Sequence, residues 1–327
     1  MTMKRNSSIA RIRRSLHALA ASFALLAGSA HAQPVNVVAS FSILGDLVGQ
    51  VGGERVKVRT LIGADEDAHA FQPRPSDARD IGSATLVVVN GLGFDDWMLR
   101  LAHAGGYKGT VTIASKGITT LEMDKDHDHH GHDHDHGHEP AEAGNKAGTK
   151  AVDPHAWQDV GNVRRYVANI ADALSQVDPE GADRYRTNAE RYDAELKALD
   201  AEIRTAFEAM PVERRKVVTS HAAFAYFGRA YGLQFLSPVG VSNNAEPTAQ
   251  GVARLIRQLK AEKVPAVFIE NVADPRLIER IRSESGARVG GTLYSDALSA
   301  TDGPAASYVQ MMRANLATLR DALHAKD

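Results

Sequence analysis

The chain has 327 residues, a formal net charge of −2 and no cysteine. The lack of cysteine excludes a disulfide framework, and the charge balance gives no sign of a nucleic-acid-binding surface. The length is sufficient for two α/β lobes of about 130 to 150 residues each.

Residues 1–32 have the pattern of a cleaved secretory signal peptide. An apolar stretch at 16–27, too short for a stable membrane anchor, is followed by the small-residue cleavage site Ala30-His31-Ala32. The basic residues that precede the stretch are Lys4, Arg5, Arg11, Arg13 and Arg14. Cleavage after Ala32 changes the net charge to −7. Because no cysteine is present to carry a lipid, we expect a soluble periplasmic protein without a lipid anchor.

The residues after the signal alternate between strand-like and helix-like patterns. Runs of β-branched residues predict strands, and apolar residues at spacings of three and four predict helices. The predicted strands are 35–40, 56–61, 86–89 and 110–113, and the predicted helices are 43–51, 94–102 and one starting at Pro75 with Ser76 as its N-cap. This alternation over about 115 residues predicts a parallel α/β sheet with short crossovers.

A histidine- and aspartate-rich run at 124–138, DKDHDHHGHDHDHGH, interrupts this pattern. Seven of the fourteen histidines of the chain lie in it, at His127, His129, His130, His132, His134, His136 and His138. Imidazole and carboxylate on a glycine-containing chain bind divalent transition metals weakly, and the alternative is an inert linker. Composition predicts disorder over about 124–150 in the absence of metal. Such a run cannot supply one rigid geometry, so a selective metal site is expected elsewhere.

Two helices are predicted after this run. Residues 163–174 form an amphipathic pattern, and residues 179–209 carry apolar side chains at spacings of three, four and seven. The second helix is predicted to extend about 45 Å at 1.5 Å per residue and to bridge two lobes rigidly.

A second α/β series follows the long helix. The predicted strands are 217–220, 234–238, 266–270 and 288–292, and the predicted helices are 222–231, 248–262, 275–285 and 306–325. The predicted fold is therefore α/β, with two similar lobes joined by one long helix and a ligand site in the cleft. The expected boundaries are 1–32 for the signal, 33–176 for the first lobe, 177–210 for the linking helix and 211–327 for the second lobe.

Four residues with metal-ligand chemistry lie in loops beside strand ends, where open α/β sheets bind ligands. His69 follows the second predicted strand, His155 lies just after the low-complexity run, His221 closes the strand at 217–220, and Asp296 follows the last strand. Each has an ordinary alternative, as a loop hydrogen-bonding residue or, for Asp296, as a helix N-cap. Their distribution, two in each series, favours a shared site.

Other features have structural explanations. Four histidines are not metal-ligand candidates, namely His17, His31, His103 and His324. The first two are removed with the signal. The aromatic stripe of Phe224, Tyr226, Phe227 and Tyr231 is expected in the core. No P-loop, GxGxxG, GxSxG or HExxH motif is present.

Four segments resemble the zinc- and manganese-specific solute-binding proteins of bacterial ABC importers, known as cluster A-I, and in particular their zinc-uptake subgroup. They are DAHAFQPRPSD at 67–77, DPHAWQD at 153–159, TSHAAFAYFGRAYGL at 219–233 and YSDALS at 294–299. The histidine-rich insert also resembles one in the zinc-uptake members. Ala68 stands where the family has proline, which puts the stiffness of the first ligand loop in doubt.

The resemblance implies that His69, His155, His221 and Asp296 bind the transported metal. Three imidazoles and one carboxylate form a closed four-coordinate set that suits Zn²⁺. Manganese prefers more oxygen donors, and the manganese members resemble this chain except for a carboxylate at the position of His221. Affinity is expected to fall as the pH drops through about 6.5, since neutral imidazole is the ligand. Candidate partners that orient the ligands are Glu66, Asp153, Glu246 and Glu270.

The function predicted from the sequence is capture of Zn²⁺ in the periplasm and its delivery to an inner-membrane ABC permease with its ATPase. No catalysis is expected, the protein is expected to be a monomer, and a periplasmic zinc chaperone is a further candidate partner. Three alternatives remain at this point. One is a manganese importer component, another is a zinc hydrolase or lyase in which water completes a three-histidine site, and the third is a metal buffer or adhesin.

Overall fold

The computed structural model describes residues 33–122, 152–241 and 248–324. The predicted signal peptide, the histidine-rich run and Glu246 lie outside these ranges. Within them, none of the helices combines the length and apolarity needed to cross a membrane. All the elements below belong to one compact unit that begins at Val35.

The first lobe is built on a four-stranded parallel sheet. Its strands are β1 (Val35–Phe41), β2 (Val56–Ile62), β3 (Leu86–Val89) and β4 (Thr110–Ile113), arranged in the order β2-β1-β3-β4. The crossover helices are α1 (Ser42–Gly52), α2 (Pro75–Ser83) and α3 (Asp96–Ala104). The central strand β3 is buried along its whole length, as expected for a β-branched run covered on both faces.

The second lobe repeats this arrangement. Its strands are β5 (Lys216–Val218), β6 (Gln234–Leu236), β7 (Ala266–Glu270) and β8 (Arg288–Leu293), again parallel and in the order β6-β5-β7-β8. Its helices are α6 (Ala225–Tyr231), α7 (Ala249–Glu262), α8 (Pro275–Ser285) and α9 (Tyr308–His324). The predicted pair of similar parallel α/β lobes is therefore confirmed.

Two helices lie between the sheets in sequence, α4 (Val160–Val177) and α5 (Ala182–Glu208). The 27 residues of α5 extend about 40 Å at 1.5 Å per residue. Its buried stripe consists of Tyr185, Tyr192, Leu196, Leu199, Ile203 and Phe207. This stripe belongs to one hydrophobic core that also contains residues of both sheets, so the long helix joins the lobes by packing against each of them.

Some predicted element ends are wrong. Ser76 is not the N-cap of α2: the helix begins at Pro75, and the carboxylate of Asp77 accepts the backbone N–H of Arg74 at 2.7 Å. Residues 179–181 form a 3₁₀ turn before α5. Helix α6 begins at Ala225 rather than at 222, because the backbone N–H of Ala222 donates to Gly240 in the loop after β6.

Candidate metal centre

The carboxyl ends of the two parallel sheets bring the four candidate residues together. His69 lies in the loop after β2, His155 just before α4, His221 after β5 and Asp296 after β8. One potential ligand atom from each residue lies within 4.8 Å of the other three. The sequence predicted these four residues, and the structure places all of them in one cluster that contains side chains of both lobes.

Four distances within the cluster are close to the edges of a small coordination polyhedron. Oδ2 of Asp296 lies 3.4 Å from Nε2 of His69 and 3.2 Å from Nε2 of His221, and Oδ1 lies 3.6 Å from Nε2 of His155. The Nε2 atoms of His69 and His155 are 3.4 Å apart. A tetrahedral ion with bonds of about 2.0 to 2.1 Å separates its ligand atoms by about 3.3 to 3.4 Å. These four distances are close to that separation, and all the candidate ligand atoms lie within 4.8 Å of one another.

The burial of Asp296 requires a compensating cation. Its side chain is completely buried, and the groups that face its oxygens are Nε2 of His69, His155 and His221 at 3.2 to 3.6 Å. Burying an ionised carboxylate without a partner is costly, and buried charges are normally paired or coordinate metals. The groups that face Asp296 are three imidazole nitrogens, so either a metal ion or imidazolium protons must supply the positive charge.

Two carboxylates hold the buried histidines in one orientation. Oδ1 of Asp153 lies 2.8 Å from Nδ1 of His155 and accepts the backbone N–H of the same residue at 2.9 Å. Oε2 of Glu270 lies 2.7 Å from Nδ1 of His221, and Oε1 accepts the backbone N–H of His221 at 2.9 Å. A proton on Nδ1 leaves the Nε2 lone pair for a metal, which is the usual arrangement around metal-binding histidines.

The other two residues proposed from the sequence to orient the ligands are Glu66 and Glu246. Glu66 accepts the backbone N–H of Gly63 at 2.6 Å and so stabilises the first ligand loop rather than a histidine ring. Glu246 lies outside the described residues.

The first ligand loop is held despite Ala68 standing where the family has proline. The carboxylate of Asp67 accepts the backbone N–H of His69 at 2.8 Å, as Asp153 does for His155. Ala68 is buried, and the ring of Phe94 contacts the imidazole of His69 edge-on, with 5.1 Å between ring centroids. A short aspartate turn therefore provides the local stiffness that proline would otherwise give.

The pKa values of His221 and Asp296 are shifted in opposite directions. Burial lowers the pKa of His221, but the negative charges of Glu270 and Asp296 outweigh it and raise this pKa well above 6.5. Burial raises the pKa of Asp296, but the positive charges of His221 and His155 outweigh it and hold this pKa well below 3.8. In the metal-free protein, His221 and Asp296 are thus an ion pair at neutral pH.

Three further residues tie the ligand loops together, and neither composition nor spacing indicated them. The indole N–H of Trp157 and the amide of Gln158 both donate to the carbonyl of Ser295, at 2.8 and 2.7 Å. The hydroxyl of Tyr226 donates to the carbonyl of Asp153 at 3.1 Å and accepts the backbone N–H of Leu121 at 3.0 Å. The sequence assigned Tyr226 to a core stripe; its ring is buried there, but its hydroxyl is a loop contact.

Two parallel α/β lobes with a buried cluster of three imidazoles and one carboxylate between them define a metal-specific solute-binding protein. Residues 37–322 match the family described as zinc-uptake complex component A periplasmic, ZnuA. The match covers most of the chain, which therefore belongs to this family, as its sequence motifs predicted.

Relatives within this group have names that refer to different metals. The chain is 32% identical to the manganese-binding lipoprotein MntA of Halalkalibacterium halodurans over 289 residues, which cover 88% of each chain. It is 29% identical to the iron-binding protein YfeA of Yersinia pestis, over 88% of this chain and 86% of the other. It is 27% identical to the manganese ABC transporter substrate-binding lipoprotein PsaA of Streptococcus pneumoniae, over 89% of each chain.

Solved structures show the same fold. The periplasmic zinc-binding protein TroA of Treponema pallidum superposes with a TM-score of 0.78 at 27% identity, covering 89% of this chain and 99% of that one. The Mn-bound periplasmic metal-binding protein of Candidatus Liberibacter asiaticus has a TM-score of 0.74 at 28% identity, covering 88% and 99%. The protein is therefore a metal-binding component of an ABC importer, and the prediction that it is not an enzyme is confirmed.

Metal binding is expected to release a proton from His221. Since its pKa in the metal-free protein is well above 6.5, Nε2 is protonated at pH 7 and must lose its proton before it binds an ion. Affinity should therefore rise about tenfold per pH unit through neutrality, rather than level off above 6.5 as an ordinary histidine would predict. Isothermal titration calorimetry at pH 7.5 in buffers of different ionisation enthalpy should count about one proton per ion. Binding without proton release would show that His221 is neutral before the ion arrives.

Proposed function

We propose that this protein captures Zn²⁺ in the periplasm and delivers it to an ABC permease and its ATPase for import. The observation that carries the proposal is the closed set of His69, His155, His221 and Asp296, whose candidate ligand atoms all lie within 4.8 Å of one another. No catalytic step is involved, and the ion is cargo rather than a cofactor.

The donor set favours zinc over manganese and iron. Three imidazole nitrogens and one carboxylate give the nitrogen-rich, four-coordinate environment that Zn²⁺ accepts readily, whereas Mn²⁺ prefers oxygen donors and more of them. His155, His221 and Asp296 are fully buried, so the described cluster leaves little room for water molecules to extend the coordination shell. Because relatives are named for manganese, iron and zinc, the alternative cargo is Mn²⁺, and His221 is the residue that argues against it.

Release of the ion is expected to occur through small motions of the lobes and ligand loops. The long helix α5 shares one hydrophobic core with both lobes, so wide hinge opening would expose a large apolar surface. Small tilts and loop movements can separate the ligands without that cost.

Export to the periplasm follows from the signal-like pattern at 1–32 in the sequence. The relatives MntA and PsaA are named lipoproteins. This sequence contains no cysteine to which a lipid could be attached at a signal-peptide junction, so the unanchored state stays part of the proposal. A monomer that docks transiently on the permease, with a zinc chaperone as a further candidate partner, completes the proposed setting.

Replacing His155 with alanine should reduce zinc affinity at least tenfold, because it removes one of four ligands and leaves Asp153 without its ring partner. The measurement is a competition titration of the purified protein against a chromophoric zinc chelator. His103→Ala is the matched control, since this exposed histidine lies at the end of α3. Equal affinity in the two variants and the wild type would refute the proposed site.

The histidine-rich run is proposed as an accessory that collects zinc for this site. Its flanks support the proposal, because Glu122 and Val152 pair as an antiparallel bridge and the N–H of Asp153 donates to the carbonyl of Leu121 at 2.9 Å. The run therefore leaves and re-enters the described structure directly beside the loop that carries His155. Weak binding by His127, His129, His130, His132, His134, His136 and His138 would raise the local zinc concentration there.

Deleting residues 124–138 should lower the total number of zinc ions bound per protein, or slow loading at low zinc, and leave one tight site intact. Stoichiometry by metal analysis and loading rate by stopped-flow mixing would test this. A variant with the seven histidines changed to serine separates the effect of the ligands from that of chain length. If the tight site were lost instead, the run itself would be the primary site.

A further inference from the structure

Asp65 connects the first ligand loop to the second lobe at the mouth of the site. Its backbone N–H donates to the carbonyl of Leu298 at 2.9 Å. Its carboxylate accepts two more hydrogen bonds, from the amide of Asn271 at 2.9 Å and from the backbone N–H of Ala300 at 3.2 Å. Three hydrogen bonds between the lobes therefore converge on one residue.

The partners of Asp65 lie on segments that carry a candidate ligand or hold one in place. Asn271 directly follows Glu270, which holds both the ring and the backbone of His221. Leu298 lies two residues after Asp296, and Asp65 itself lies four residues before His69. Asp65 thus connects the segments of His69 and Asp296 to the segment of Glu270, which orients His221.

Asp65 lies in the loop of the most exposed of the four candidate ligands. His69 is the one candidate ligand that is not fully buried, with 9% of its side chain exposed, whereas His155, His221 and Asp296 are completely buried. An ion can leave with least rearrangement where the His69 loop lifts away. That loop is the one that Asp65 ties down.

The backbone of Asp65 indicates that its position is held by these contacts. Its φ is +54°, in the left-handed region that residues other than glycine seldom adopt. Aspartate and asparagine tolerate this region better than other side chains, and such conformations persist where the surrounding structure holds them. Because Asp65 is exposed, water competes for its hydrogen bonds, and they can break without unfolding of either lobe.

We propose that Asp65 is a latch whose hydrogen bonds to Asn271, Leu298 and Ala300 set how long the metal stays bound. The inference rests on the proposed function, since it assigns a role in retaining the proposed cargo. Asp65 is a positioning residue that does not touch the ion. Opening the latch frees the His69 loop, the ion leaves, and closing it restores the four-ligand set.

The test variant is Asp65→Asn. Asparagine tolerates the same φ and keeps the backbone bond to Leu298, but its amide nitrogen faces either the Asn271 amide or the Ala300 N–H, so one donor loses its acceptor. Loss of such a bond should speed zinc release about five- to tenfold. Release is measured by mixing zinc-loaded protein with excess EDTA, and association by stopped-flow mixing with Zn²⁺. The association rate should change by less than about twofold, because the ligands are intact.

Asp302→Asn is the matched control, because it removes the same charge from the neighbouring loop and the carboxylate of Asp302 makes no hydrogen bond or ion pair within the described residues. Asp65→Ala, which removes both carboxylate contacts, should release zinc at least as fast as Asp65→Asn. Melting temperatures of the metal-free variants check that the fold is intact.

The outcomes separate the latch from the proposed function. Faster release in both Asp65 variants, with unchanged association and wild-type behaviour of Asp302→Asn, supports the latch. One tight zinc ion per protein with release unchanged in both Asp65 variants overturns the latch and leaves the proposed function standing. A wild-type protein that holds no tight zinc ion overturns both.

Discussion

The structure depends on one buried carboxylate. Asp296 is completely buried and enclosed by three imidazole nitrogens, so its charge must be balanced by a cation within the cluster. In the absence of metal, the positive charge of protonated His221 balances part of the negative charge of Asp296. This interaction raises the pKa of His221 and lowers that of Asp296. The divalent ion of the proposed function would balance that negative charge more completely, because it would interact with all four side chains at once. The proposed site would then exchange a proton for a metal ion.

The fold holds this charge in place by joining the loops of two lobes. Trp157 and Gln158 donate to the carbonyl of Ser295, next to Asp296, and Tyr226 bonds to the carbonyl of Asp153, next to the His155 loop. The long helix α5 maintains the spacing between the sheets through a shared core. With these supports the ligand set is preorganised, so binding costs little ordering of the protein. The loop that carries His69 is held to the second lobe by the hydrogen bonds of Asp65 to Asn271, Leu298 and Ala300.

Much of the fold could be predicted from the sequence because its elements are strongly periodic. The buried β-branched run Leu86–Val89 and the stripe along α5 each correspond to an element with the predicted type. Element ends were less predictable, since they depend on tertiary bonds such as the one from Ala222 to Gly240. The side chain of Ser76 is a good N-cap by type, but the helix begins one residue earlier, and the carboxylate of Asp77 accepts the backbone N–H of the N-cap residue Arg74.

The candidate site illustrates the same limit. Strand-end positions and family motifs indicated His69, His155, His221 and Asp296, but periodicity alone could not show that loops more than two hundred residues apart in sequence meet. The hydroxyl of Tyr226 and the carboxylate of Asp65 were missed because their partners lie in loops distant in sequence, which no local pattern specifies. The identity of the transported metal is harder still to predict from the sequence, because relatives with the same fold are named for zinc, manganese and iron.

X-ray absorption spectroscopy of the zinc-loaded protein, combined with its crystal structure, tests whether these four side chains alone enclose one zinc ion. We expect one ion bonded to Nε2 of His69, His155 and His221 and to an oxygen of Asp296, with three nitrogen and one oxygen neighbours at about 2.0 to 2.2 Å. A water molecule in the place of Asp296, or an ion bound only by residues 124–138, would contradict it.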